Sequence, residues 1–204
     1  MGSFLDKPVT EKETTEGSAH GLHWGCSAMQ GWRVEMEDAH ICDTDVPGRP
    51  GSSLFCVFDG HGGSLVAKEA AKQLMTVITK TDAFRLGNKS ADTLSRALYD
   101  GLIMLDDELR EIPPLKSGVD RSGATAITSF VTPTHIIIGN AGDSRAVLVR
   151  GGAVHFGSKD HKPTEVEERT RVENAGGFIE MGRVCGNLAV SRALGDFQYK
   201  DKPD

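Results

Sequence analysis

The stretch LFCVFDGHGG, Leu54 to Gly63, constrains this chain more than any other. Its five leading apolar residues are too few for a helix of ordinary length and suit a strand buried on both faces. Asp59-Gly60 then ends the run as a turn signal. A buried strand that stops on an aspartate presents the carboxylate from a rigid rim. Gly60, with no Cβ, lets other backbone come close enough for its own carbonyl to serve as a ligand. The competing reading is an ordinary surface turn, because a histidine among glycines is more often solvated than catalytic.

The rest of the chain alternates blocks of strands and helices. LHWGCSAM from Leu22, GATAITSFV from Gly123, HIIIGNAG from His135, RAVLVRGG from Arg145 and AVHFG from Ala153 read as strands. The last four, separated by short glycine-marked turns, predict an antiparallel meander. Ser64 to about Lys80 has helical spacing, with Val66, Ala70, Leu74 and Val77 on one face, and a second helix runs from Ser90 to about Glu111, stopped by Pro113-Pro114. A third starts at Thr164 in TEVEERTRVENAGG, where Glu165, Glu167, Glu168, Arg169, Arg171 and Glu173 read as a solvated face. Residues 1–20 are polar and aperiodic and read as a tail or an arm laid over the domain. Blocks of this kind predict an α+β fold with antiparallel sheets, in one domain for a chain of 204 residues.

Several function classes are excluded or weakened. A formal charge of -6 provides no nucleic-acid footprint. No apolar run reaches the roughly 18 to 20 residues that span a bilayer, and the N-terminus lacks a signal-peptide core. Cys26, Cys42, Cys56 and Cys185 form no Cys-x-x-Cys pair, so neither a zinc site nor a disulfide framework is indicated, and reduced thiols point to the cytoplasm or the nucleus. Asn88-Lys89-Ser90 is then an accidental sequon. DTDVPG, from Asp43, fails as a calcium loop because position twelve is Leu54 rather than Glu. No Walker A sequence, dinucleotide turn or His-Glu-x-x-His is present.

The acids carry the chemistry. In GWRVEMEDAH, strand alternation would put Arg33, Glu35 and Glu37 on one face and Val34, Met36 and Asp38 on the other. Asp143 ends IIIGNAGD as Asp59 ends its own strand. Carboxylates repel unless protonated, paired or bridged, so convergence of Glu37, Asp59 and Asp143 predicts a hard divalent cation, Mg²⁺ or Mn²⁺. Two such ions about 3.5 to 4 Å apart can generate hydroxide for attack on a phosphate ester. His61 could then act as general acid, and Arg33 offers a fork for phosphate.

QGWRVEMEDAH, FDGHGG, SGATA, NAGDSRAVL, KDHKP and LAVSRALGDF, in this order and spacing, resemble the type 2C metal-dependent protein serine/threonine phosphatases from end to end. The resemblance implies a β-sandwich flanked by helices and two Mn²⁺ or Mg²⁺ ions bridged by Asp59. Glu37 and the Gly60 carbonyl would complete one metal site, and Asp143 would serve a further, weaker one. It also implies Arg33 on the substrate phosphate, His61 as general acid and Asp38 behind the ligands. Thr125 and Ser191 to Asp196 would be architecture around the site, and about 162–186 a mobile flap. Residues 21–204 would be the N-terminal part of one catalytic domain, monomeric when complete, acting on phosphoproteins. Two late metal-binding aspartates of that family, in Asp-Gly and Asp-Asn pairs, have no counterpart here, so the final strands are expected to be missing. That departure keeps a second reading open, a non-catalytic phosphoprotein-binding module. A haloacid-dehalogenase-type phosphatase is weaker, since Asp43-Thr44-Asp45 follows no clean apolar strand. Gly2 is a poor acylation acceptor, with Asp6 where Ser or Thr is wanted.

Overall fold

The computed structural model describes residues 4–87 and 90–200; Gly2 and Asn88 lie outside the described residues. Where a tail or arm was expected, the chain instead forms two strands, β1 (Phe4–Val9) and β2 (Glu13–Ala19). β2 returns as β3 (Leu22–Ala28), and β1 lies antiparallel to β4 (Gly31–Arg33). The β2–β3 turn places His20 and Gly21 at φ of 53° and 79°, the left-handed pair that a two-residue hairpin favours. His-Gly is not one of the usual turn dipeptides, and β1 and β2 are mostly exposed, so neither hydrophobic alternation nor turn chemistry announced them. The hairpin also crosses the expected boundary at residue 21.

β5 (Ala39–Asp43), β6 (Ser53–Phe58) and the two-residue β7 (Gly60–His61) come next. They are followed by α1 (Leu65–Lys80), a short α2 (Asp82–Leu86), α3 (Ala91–Arg110) and the one-turn α4 (Pro113–Lys116). Pro113 does not merely stop α3. It occupies the first turn of α4, where its missing N–H costs nothing. β8 (Gly123–Ala124), β9 (Ala126–Val131), β10 (Ile136–Ala141), β11 (Val147–Arg150) and β12 (Ala153–Gly157) lead to α5 (Val166–Asn174). β13 (Ile179–Glu180), β14 (Arg183–Val184) and β15 (Leu194–Gly195) complete the strands.

The central sheet is antiparallel in the order β10-β9-β6-β5, and a smaller one runs β15-β8-β7. The expected meander is split, because β11 and β12 form a hairpin of their own. α5 starts after Glu165 rather than at Thr164, since the Glu165 N–H closes a turn on the Lys162 carbonyl.

One face of the central sheet carries the core. Leu54, Cys56 and Phe58 alternate along β6 toward α1 and α3, and the α1 stripe Val66, Ala70, Leu74 and Val77 is fully buried against them, as its spacing predicts. α1 and α3 approach closely at Gly101, where an added Cβ would lie 2.7 Å from Ile78 Cγ1 and 3.2 Å from its Cα.

That approach decides the sign of a substitution. Propensity alone would have Gly101→Ala stabilise α3 by about 1 kcal/mol. Overpacking against a β-branched side chain and its backbone costs about 1 to 3 kcal/mol and wins. Urea denaturation of Gly101→Ala should show a lower midpoint at unchanged slope; a raised midpoint would show that the helices can separate freely.

Candidate functional site

Asp59 leaves the buried β6, and its carbonyl accepts a hydrogen bond from the Thr125 N–H at 2.9 Å. β7 pairs with β8, so Gly60 faces Ala124 and His61 faces Gly123. The chain opposite does not keep its strand. Gln30 Nε2 donates to the carbonyls of Arg33 (2.9 Å) and Val34 (3.0 Å), β4 ends at Arg33, and the expected two-faced alternation through Asp38 is lost. As a result both Glu37 and Asp38 reach the glycine loop. Gly63 N–H donates to Glu37 Oε1 at 2.6 Å, and the Gly60 backbone N–H donates to the Asp38 carboxylate. A Cβ on Gly60 would fall 2.2 Å from the Glu37 carbonyl oxygen, so only glycine allows this approach.

The carboxylates repel. Burial pushes Asp59 up, the Asp143 charge adds to it, and His61 and Arg33 only partly offset these effects. Burial also pushes Asp38 up, reinforced by Asp59 and relieved by the Gly60 N–H. Asp143, two residues beyond β10, is covered by an ion pair with Lys162. Arg33 is largely exposed and pairs with Glu37, its Nη2 3.5 Å from Glu37 Oε2, so its guanidinium also faces solvent, from which an anion would come. Thus Arg33, Glu37, Asp38, Asp59, Gly60, His61 and Asp143 all lie around one region. Among the described residues, the Glu37, Asp59 and Asp143 carboxylates do not all come within 4.8 Å of one another.

Three further side chains were given no chemical role from sequence, although Asp196 lies in the 191–196 stretch expected as architecture around the site. Asp196 Oδ2 sits 2.7 Å from His61 Nε2. Burial alone would lower the His61 pKa, yet the hydrogen bond and charge of Asp196 outweigh it and hold the imidazole above its ordinary value. Leu194-Gly195-Asp196 is an apolar-Gly-Asp ending like Ala141-Gly142-Asp143, which is the signal that could have found its role. Lys162, on Asp143, carried no such signal. Glu168 is the exception to the solvated reading of α5, whose Glu165, Glu167, Arg169, Arg171 and Glu173 are exposed: it is buried, accepting from Arg192 Nη2 at 2.7 Å, Ser191 Oγ at 2.7 Å and Arg171 Nη2 at 3.0 Å.

A family profile described as Protein phosphatase 2C matches residues 22–203. The chain belongs to the protein phosphatase 2C family. Protein phosphatase 1B of Rattus norvegicus is 47% identical over 208 residues, covering 98% of this chain and 53% of the relative. The chain thus spans about half the length of the curated relatives it matches. The structure described as that of a C. elegans sex determining protein has a TM-score of 0.72 at 24% identity, covering 96% of this chain and 47% of that one. Serine-threonine phosphatase 2C from Toxoplasma gondii has a TM-score of 0.70 at 20% identity, covering 96% and 73%. The α+β architecture with antiparallel sheets is therefore that of the phosphatase 2C fold.

Phosphatase 2C proteins are metal-dependent, and the donors here suit a hard cation. They are all oxygens, Asp59 is raised by burial and then by the Asp143 charge, and among the described residues Asp143 pairs with the Lys162 ammonium.

Glu168 fixes the start of α5 to Ser191 and Arg192 in this phosphatase 2C chain. Burial opposes its charge, but Arg192, Ser191 and Arg171 together hold it down from 4.5 to about 2. Because the folded pKa is depressed, the stabilisation is complete above pH 4.5 and is lost as pH falls toward about 2. Glu168→Gln should cost about 1 to 3 kcal/mol at pH 7, the gap to the parent narrowing below pH 4.5 in urea titrations. A gap independent of pH would remove the ionised Glu168 from the account.

Proposed function

We propose that this chain, its β1 and β2 strands included, is the N-terminal part of the catalytic domain of a phosphatase that hydrolyses phosphoserine and phosphothreonine in proteins, using Mn²⁺ or Mg²⁺. One observation carries this reading. Asp59, raised by burial and by Asp143, and His61, raised by Asp196, stand on one glycine loop that Glu37 and Asp38 grip from the other side. Two carboxylate-bound divalent ions supply Lewis acidity that activates water for attack on phosphorus.

The chain's own residues do the rest. Glu37, Asp59 and the Gly60 carbonyl would hold one ion, Asp59 would share the second, and Asp143 would serve a further position once Lys162 yields it. Arg33, exposed and forked, orients the phosphate by a bidentate contact. Asp196 occupies His61 Nε2, so Nδ1 is the nitrogen left to give a proton to the departing seryl or threonyl oxygen. The raised pKa favours the protonated imidazole that this step needs. The segment 162–186 flanks the cleft as a flap that shapes substrate choice.

The cytoplasm or nucleus fits the four cysteines, all free. Among the described residues no helix is long and apolar enough to cross a membrane. A complete domain would work as a monomer.

The test is a phosphothreonine-peptide assay with and without Mn²⁺, on this chain and on a hybrid continued with the C-terminal half of the rat relative. The hybrid should turn over substrate only with Mn²⁺, and Asp59→Asn should reduce its rate by about 100-fold or more. Mn²⁺-dependent turnover unaffected by Asp59→Asn would overturn the assignment. A well-folded hybrid that binds the peptide without turnover would favour a phosphoprotein-binding module instead.

A further inference from the structure

On the face of the central sheet away from the helices, two strands bring three soft donors together. His40 and Cys42 are alternate residues of β5 and so share a face. They lie opposite Val57 and Phe55 of β6, whose other face, Leu54, Cys56 and Phe58, is buried against the helices. Cys26 arrives from β3, where Trp24, also alternate, puts its ring centroid 6.0 Å from that of Phe55. The β2–β3 hairpin therefore turns its Trp24–Cys26 face onto the outer surface of the sheet.

The sulfurs of Cys26 and Cys42 and a ring nitrogen of His40 lie within 4.8 Å of one another, the one such set of three or more ligand groups among the described residues. All three side chains are half-buried, both thiols are free, and His40 makes no side-chain hydrogen bond among the described residues. We propose that Cys26, His40 and Cys42 form a second cation site, for a thiolate-seeking ion of the zinc class, separate from the carboxylate centre.

The distances suit that ion. Bonds of about 2.3 Å to sulfur and 2.0 Å to nitrogen in a tetrahedron require donors about 3.5 to 3.8 Å apart, and all three donors already lie inside 4.8 Å of one another. Two sulfurs and an imidazole select zinc over the hard ions that an all-oxygen site prefers, so the two centres sort different metals. Three protein ligands leave the fourth position to water or an incoming donor. A Cys26–Cys42 disulfide would use the same sulfurs but leave His40 without a role. β5 begins at Ala39, directly after Glu37 and Asp38, so an ion here ties the hairpin to the strand that carries two of the acids gripping the glycine loop. Sequence spacing hid the site, because Cys26 and Cys42 are sixteen positions apart and meet only through folding.

Cobalt(II) reads the site directly, since thiolate ligation gives a near-ultraviolet charge-transfer band that carboxylates do not. The reduced 204-residue chain, titrated with Co²⁺, should develop this band with visible tetrahedral transitions at one equivalent, and one equivalent of Zn²⁺ should bleach it. Cys26→Ser and Cys42→Ser should each abolish the band, His40→Ala should weaken it, and Asp59→Asn should leave it intact. Circular dichroism checks that each variant is folded. If the cysteine variants do not fold, native mass spectrometry of the reduced parent still decides, by retention of one zinc. No thiolate band and no retained zinc, or a band that survives loss of both Cys26 and Cys42, would overturn the site.

Discussion

The Gly60 peptide lies against the Glu37 carbonyl so closely that a single added carbon would overlap it at 2.2 Å. Much of the site follows from that approach. Because Gly60 admits the 37–38 backbone, its N–H can satisfy Asp38 and the Gly63 N–H can satisfy Glu37 Oε1, so two acids from an irregular segment are fixed to the rim of a buried strand. The strand supplies the rigidity. Leu54 and Phe58 are fully buried, which leaves Asp59 little freedom in where it emerges. Acids held this way cannot move apart to relieve their repulsion, and Asp59 is raised first by its burial and then by the Asp143 charge it cannot escape.

A second set of contacts holds the far side. Asp106 of α3 accepts from the Gly195 N–H at 2.7 Å and from Lys200 Nζ at 2.7 Å, and the Asp196 N–H donates to the Ser122 carbonyl at 3.1 Å. Asp196 itself takes a left-handed φ of 52°, an unusual conformation for a residue with a Cβ, which these flanking bonds sustain. The outcome is a carboxylate aimed at His61. Further along, buried Glu168 gathers two arginines and Ser191, so the segment that leads into this turn is anchored to α5. Helix packing, turn strain and the histidine's charge thus belong to one connected arrangement.

What could be read from sequence was local. The apolar run ending at Asp59 and the stripe of α1 are each written in a few consecutive residues, and the structure places them as read, while Asp143 lies two residues past the end of β10. What could not be read depended on partners far away in the chain. His61 and Asp196 are 135 positions apart, and Glu168 lies among charges that, by pattern alone, describe a solvated helix face. The loss of alternation after Arg33 rests on one glutamine side chain capturing two carbonyls. β3 reads as a strand from its sequence, but its hairpin partner β2 does not, because β2 is held by pairing rather than by burial and pairing leaves no hydrophobic period. The Cys26–His40–Cys42 cluster likewise exists only across strands.

The central claim is that Glu37, Asp59, the Gly60 carbonyl and Asp143 surround one space that takes hard divalent cations. Paramagnetic broadening by substoichiometric Mn²⁺, followed on the backbone amides of the isotopically labelled chain, tests it most directly. Broadening should begin at Glu37, Asp38, Asp59 to Gly63 and Asp143, and should be lost there in Gly60→Ala, whose Cβ would push the two segments apart. Broadening centred on the acidic surface of α5 or elsewhere, with those amides left sharp, would contradict the account.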